Sequence, residues 1–398
     1  GKGNETHNGK RPKARFVWAP TEKRPELIWR SVETAPESLN ASGFPNMRKL
    51  NLFQEPGFRV YVTVSLRENW TKVLLQFHHS VSDGLGEMQV IGEFLTLYAR
   101  HAGLIPEGTP LPELKREKLS LRCRSGWSLG GYLRNVIHTD ATTRQLAYGK
   151  PTPLFVHEPL PKDAPTTEYP FLQALQLSRE ETRFYIQKAK KQGVTVNDLL
   201  LRDFFVTIET WRKESGKVCD SGILRVMVPT SLRKPCHDGM PAANVVSSVF
   251  LDRTRKQIAG DSGKLLSGIH REMERIKRHD QKYVFTLTLS ILAKFGVLNF
   301  FLRSKKCRST GVLSNLGRVL ELAPVPRNED GTIQLGDCRL LFVDAAPPIR
   351  FKTLISFSAL TYAGALRLCL RYDSHFLTPQ DAEHFLSIFH GNLLTYGT

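Results

Sequence analysis

Short apolar runs separated by turns fill residues 14–70, as in Arg15-Phe16-Val17-Trp18 and in Phe58-Arg59-Val60-Tyr61-Val62-Thr63-Val64. β-Branched and aromatic residues dominate the second run, which predicts a strand. Lys72 to Phe77 predicts another, running directly into His78-His79. From Gly86 to His101 the period changes, and Met88, Ile91, Leu95 and Tyr98 recur at helical spacing. Strand, polar bend and helix in that order are a common way to present side chains at the end of a sheet.

Prolines 151, 153, 159, 161, 165 and 170 crowd the middle of the chain. That density stops regular structure and predicts an extended linker over 151–170, dividing an N-terminal unit (1–150) from a C-terminal one (171–398). Beyond it, Ser178 to Gln192 predicts a helix opened by a capping box of Ser178 and Glu181. Thr195 to Trp211 predicts a second, more buried helix, with Asn197 or Asp198 suited to its first turn. Strands are expected at Leu224–Pro229 and Val245–Leu251, then a charged amphipathic helix at Leu265–Arg278. Further strands are expected at 339–343, 353–360 and 366–372, and a last helix from Pro379 to Leu394 with Thr378 as its cap. The mixed order predicts an α+β fold.

The chain has 398 residues, 41% hydrophobic and 24% charged, which excludes collagen, coiled coil and wholesale disorder. At that length large cores form without disulfide staples. Cysteines 123, 219, 236, 307, 338 and 369 make no CxxC pair, so neither a zinc ribbon nor a thioredoxin-like site is indicated. Reduced thiols in a cytoplasmic protein are the expectation. Gly1 to Arg15 is polar and basic, unlike a signal peptide or a membrane anchor. The formal charge of +18 favours anionic partners: phosphorylated cofactors, acidic proteins, anionic lipid or nucleic acid. Nucleic acid is not expected, because no RNA-binding motif, zinc finger or helix-turn-helix stands out.

Tyr283 to Leu302 is apolar enough to raise the question of a membrane segment. Lys294 lies in its middle and Thr286, Thr288, Ser290 and Asn299 interrupt it, so a buried or half-buried helix is expected. The alternative is an interfacial helix with a basic rim at Arg303, Lys305, Lys306 and Arg308, placing the protein at the membrane periphery.

The chemistry concentrates in His78-His79-Ser80-Val81-Ser82-Asp83-Gly84. Consecutive strand residues point to opposite faces, so the two histidines cannot easily chelate one ion, and no metal is expected. One imidazole instead faces a cleft, where it can take a proton from a hydroxyl or an amine. Asp83 can bond a ring or fix the loop through an arginine, and Gly84 suits the sharp turn into the helix or leaves room for a ligand. Cys236-His237 would need a third orienting group to act as a nucleophile, and the sequence offers none.

HHSVSDG after an apolar strand resembles the HHxxxDG motif of the CoA-dependent acyltransferase superfamily. That superfamily includes non-ribosomal peptide condensation domains, BAHD acyltransferases, alcohol acetyltransferases and wax ester synthase/diacylglycerol acyltransferases. Gly193–Leu201, Arg225–Arg233 and Ser314-Asn315-Leu316-Gly317 agree with it in kind and order. The resemblance implies two chloramphenicol acetyltransferase-like lobes, each a mixed sheet with helices, around a central tunnel. It implies an acyltransferase with no permanently bound cofactor, taking acyl-CoA or a phosphopantetheine thioester as donor and a small alcohol or amine as acceptor. An acyl carrier protein or a membrane surface would then be a partner. His79 would be the general base, His78 buried and structural, and Asp83 paired with Arg233 of the second lobe. Asn315 would polarise the thioester oxygen or serve as a turn residue. Relatives begin with a strand and a helix ahead of the region matching Ala14, so the first lobe is expected to be short at its start. The DFGWG segment of BAHD enzymes is absent. The rival readings are a non-catalytic binding module and a peripheral membrane lipid acyltransferase.

Overall fold

The computed structural model describes residues 22–32, 47–122, 149–155, 159–161, 169–216, 222–298, 300, 306–350 and 352–395. Arg15–Trp18, Cys123, Cys219, Asn299, Arg303 and Lys305 lie outside the described residues.

The first lobe holds a mixed sheet of β1 (Glu26–Val32), β2 (Phe58–Ser65) and β3 (Trp70–Phe77). β1 runs parallel to β2, and β2 pairs antiparallel with β3 in a register that sets Phe58 opposite Phe77. Their rings stack at 4.6 Å, fixing the sheet end from which the histidines leave. Helix α1 (Gly84–His101) follows the bend.

The second lobe is built on six strands in the order β4-β11-β10-β7-β5-β6. They are β4 (Leu172–Gln176), β5 (Ile223–Ser231), β6 (Val246–Thr254), β7 (Gly311–Arg318), β10 (Ile355–Tyr362) and β11 (Ala365–Tyr372). β7 runs parallel to both β5 and β10, while the remaining pairs are antiparallel. The small ribbon of β8 (Gln334–Leu335) and β9 (Cys338–Arg339) stands apart from this sheet. The strand expected at 339–343 is thereby cut to its first residue: the segment turns away to cross the sheet instead of pairing along it.

Helices α2 (Arg179–Lys191), α3 (Val196–Glu214), α4 (Arg255–Ile258), α5 (Ser262–Arg278) and α7 (Pro379–Leu394) belong to this lobe. α3 is its centre: Leu199, Leu200, Leu201, Phe204, Phe205, Ile208 and Trp211 are all buried, because α5, α7 and the sheet surround it. Along β10 and β11 the residues alternate as strand geometry demands. Phe357, Ala359, Leu366, Leu368 and Leu370 enter this core, whereas Ser358, Arg367 and Arg371 face the other way.

Capping boxes start α2 (Ser178 with Glu181), α3 (Thr195 with Asp198) and α7 (Thr378 with Asp381), satisfying backbone N–H groups left open in a first turn. The opposite sheet face receives α6 (Lys282–Lys294), with Phe285 edge-on to Phe250 at 5.4 Å. α6 buries Tyr283, Val284 and Phe285 and ends at Lys294, so the apolar stretch becomes a half-buried helix. No helix among the described residues is long and apolar enough to cross a membrane.

The proline-rich stretch is tied down at both described ends. Pro151 bridges Ile223, and Leu154 and Phe155 are buried in the second lobe's core; at the far end Pro170 is buried. The lobes meet along α1. Its Leu95 and Ala99 pack with Val319, Leu320, Val325, Ile333, Val343, Leu360 and Tyr362, which aims the N-terminus of α1 at β5, β6 and β7.

Candidate active site

β3 ends at Phe77, and the backbone then bends so that Val81 N–H donates to His78 O at 2.7 Å. His78 N–H donates to Gly57 O at 2.9 Å. A side chain at Gly57 would collide with Val81, its Cβ falling 2.1 Å from Cγ2, so the bend is built against a bare backbone. His78 is half-buried, not buried as the resemblance implies: at the open side of the bend its Nδ1 accepts from the Ser80 backbone N–H (3.2 Å) and hydroxyl (2.8 Å).

His79 points to a different environment. Its Nδ1 lies 3.1 Å from the carbonyl oxygen of Ser82. A carbonyl only accepts, so Nδ1 carries the proton and Nε2 is left with its lone pair. Burial, chiefly, lowers the His79 pKa below 6.5; Arg350 and His78 push the same way, while the Ser82 carbonyl and Asp83 oppose them. The result is a neutral imidazole with a fixed tautomer at physiological pH. Asn244 of the second lobe donates Nδ2–H to His79 O at 2.6 Å and holds the residue from behind.

Asp83 is 3% exposed and does not bond either ring. One oxygen caps α1 by accepting from Gly86 N–H at 3.0 Å. The other accepts from Arg233 Nη1 at 2.8 Å and from Val245 N–H at 2.7 Å. Arg233 also donates to Ala243 O at 2.9 Å, so the pair clamps the first lobe's bend to the loop between β5 and β6. Close approach is required here: a Cβ on Gly86 would lie 3.1 Å from both N and O of Ala243, and one on Gly84 2.7 Å from Leu316 Cδ2. Gly84 thus leaves room for a neighbouring side chain of β7.

Asn315 sits at the bulge where β7 and β10 shift register, and its Oδ1 accepts from Gly317 N–H at 2.9 Å. Gly317 has φ +68°, so Asn315 closes a turn that favours glycine. In a short 3-10 turn Cys236 lies exposed and His237 half-buried, with His237 Nδ1 accepting from Lys234 N–H.

Three residues that the sequence did not single out join the site. Asn244 and Arg350 have no local pattern to announce them, being brought in by the second lobe's topology. Glu87 was in principle visible, one helical turn after Asp83. Burial first, then the Asp83 charge, raise its pKa from 4.5 to about 7.

Comparison with protein-family models and with curated proteins finds no match. Solved structures do match. The epimerization domain from the third module of tyrocidine synthetase B superposes with a TM-score of 0.57 at 14% identity, over 94% of this chain and 80% of its own. SgcC5 from Streptomyces globisporus gives 0.57 at 15% identity, over 92% of this chain and 79% of its own. The starter condensation domain of rhizomide synthetase RzmA, solved with C8-CoA and Leu-SNAC, gives 0.56 at 13% identity, over 87% and 70%. The chain therefore has the two-lobed, chloramphenicol acetyltransferase-like α+β fold seen in these condensation and epimerization domains. Within that fold it is most readily compared with condensation and epimerization domains of peptide synthetases.

Proposed function

We propose that the protein is an acyltransferase that moves an acyl group from a CoA or carrier-bound thioester to an alcohol or amine, with His79 as general base. The observation that carries this reading is the His79 ring: Nδ1 is bonded to the Ser82 carbonyl, burial keeps the ring neutral, and Nε2 remains free to accept. The RzmA domain bound to C8-CoA and Leu-SNAC gives the fold a precedent for an acyl thioester beside an aminoacyl one.

The reaction balances without a covalent enzyme intermediate. The acceptor hydroxyl or amine gives its proton to His79 Nε2 as its lone pair attacks the thioester carbonyl. The tetrahedral intermediate collapses, the C–S bond breaks, and the thiolate leaves with the proton returned from Nε2. Asp83 takes no proton, since Gly86, Arg233 and Val245 occupy its oxygens. Its role is to hold the histidine-bearing bend against the second lobe, and Arg233 is the other half of that clamp.

The test is thiol release from a panel of acyl thioesters with pooled alcohols and amines. His79→Ala should lower acceptor-dependent release by roughly 10²–10⁴-fold. Saturable thioester binding without turnover in the wild type would instead favour a binding module. Exchange of a thioester's α-proton with solvent, without thiol release, would favour epimerization, the activity for which the tyrocidine synthetase B domain is named.

A peripheral membrane lipid acyltransferase is a second reading. It is favoured by Phe295 and Phe300, 74% and 83% exposed beside Lys294. Salt-sensitive flotation with anionic vesicles would support it, and a chain that stays wholly unbound would count against it.

A further inference from the structure

The chain enters β6 through Ala243, Asn244 and Val245, and each of the three holds a different group of the junction. Ala243 O accepts from Arg233, and Val245 N–H donates to Asp83. Between them Asn244 Nδ2 donates to His79 O at 2.6 Å. The approach to β6 is firmly seated. Leu232 N–H donates to Val245 O at 2.9 Å, and Ala243 and Val245 are buried in one cluster with Leu232, Met240 and Tyr283.

The direction of the Asn244 amide follows from its two partners. Val246 N–H donates to Oδ1 at 3.2 Å, so that end is the acceptor and Nδ2–H is the end turned to His79. Among the described residues no other group donates to the His79 carbonyl; Val81 N–H, close along the turn, is taken by His78 O. No regular structure holds this peptide either, since β3 ends at Phe77 and α1 starts only at Gly84. The ring has its own anchor, the Ser82 carbonyl 3.1 Å from Nδ1, three residues further round the same bend. His79 is therefore fixed at two points, and its main-chain point belongs to the other lobe.

We propose that Asn244 is a positioning residue for His79: its amide N–H sets the His79 peptide so that the ring meets the Ser82 carbonyl and Nε2 is presented to the acceptor. This rests on the reading of His79 as the base. With the N–H removed, the half-buried carbonyl loses its partner, the peptide is free to turn, and the ring leaves Ser82 for solvent. A displacement of about 1 Å is enough to cost a reacting group up to ~100-fold in rate.

Two variants of the full chain test this. Asn244→Ala removes the side chain, and Asn244→Asp keeps its shape but offers oxygen where Nδ2–H stood. The first readout is nitrogen and carbon NMR of the histidine rings across pH, with the His79 signals identified by their loss in His79→Ala. In the wild type His79 should hold its proton on Nδ1 and titrate below 6.5, as burial dictates. Both variants should mix the two tautomers, and in Asn244→Ala the titration should move up towards 6.5. The second readout is thiol release, where kcat should fall roughly 10–100-fold in both with KM for the thioester little changed. Either variant answers alone if the other folds poorly. A lowered unfolding midpoint with the wild-type ring signature would make Asn244 merely structural and overturn the assignment. So would an Asn244→Asp protein that matches the wild type in tautomer and turnover, since shape and not the N–H would then suffice. The NMR arm needs no acyl transfer, so a failure of the acyltransferase reading shows only as absent thiol release in the wild type.

Discussion

Glu87 provides a quantitative test of the site's electrostatics. Its carboxyl has no hydrogen-bond partner among the described residues and lies in the first turn of α1, one turn beyond the buried Asp83. Burial and the Asp83 charge raise its pKa from 4.5 to about 7. An unfolded chain ionises this group near its ordinary value, whereas the native chain holds the proton up to about pH 7. Between those values the native state binds more protons, so stability must fall as pH rises through the window, and above it the whole penalty is present. At about 1.36 kcal/mol per pKa unit the ceiling is ~3 kcal/mol, and solvent reaching a half-buried group trims this to about 1–3 kcal/mol. Glu87→Gln keeps the shape and removes the charge. In urea unfolding the variant should match the wild type at pH 4.5 and exceed it by that amount at pH 8. His79, whose pKa is lowered, pulls wild-type stability the other way, losing it as pH falls through 6.5. It is present in both proteins and cancels in the difference. A Gln variant no more stable at pH 8, or equally stabilised at both pH values, would refute the electrostatic argument.

Other perturbations read other parts of the same junction. Asp83→Ala strips α1 of its cap and leaves Arg233 and Val245 N–H without their acceptor, so it should cost roughly 3–5 kcal/mol in denaturant unfolding; an unchanged midpoint would contradict the clamp. Asp83→Asn, which can still cap Gly86 N–H, should cost less. Gly86→Ala drives a methyl against Ser82 Oγ and the Ala243 backbone and should cost about 1–3 kcal/mol, measured the same way; a neutral result would contradict the close packing around Gly86. In the pH–rate profile of kcat/KM the acid limb should fall below 6.5, where His79 takes up its proton, and a limb above 7 would point to a different base.

What the sequence reveals and what it hides divide along contact range. Capping boxes at Ser178 and Thr378 are legible because both partners lie within one turn. β2, β3, α1 and α7 follow from local periodicity. β7 does not: Gly311–Arg318 carries Ser314 and Asn315 and is a strand because β5 and β10 flank it, both parallel and both distant in sequence. Proline density at 151–170 suggests a tether, yet one bridge to Ile223 and the burial of Leu154 and Phe155 draw its start into a core whose other members lie beyond residue 170.

The functional motif shows the same division more sharply. HHSVSDG contains the proposed base and the capping carboxylate but not the partners that hold them. The carbonyl of His79 is held by Asn244, and Asp83 is held by Arg233 and Val245, all more than a hundred residues later. Arg233 could be singled out because the resemblance pairs Asp83 with an arginine of the second lobe, and the VPTSLR segment ends in one. Asn244 could not, since its contribution is one amide N–H aimed at one backbone oxygen, which any sequence permits. The motif's geometry therefore depends on docked lobes: separating them would expose the Asp83 carboxylate and free the bend in one step. Stability of the junction and competence of the proposed base are, on this geometry, the same property measured in two ways.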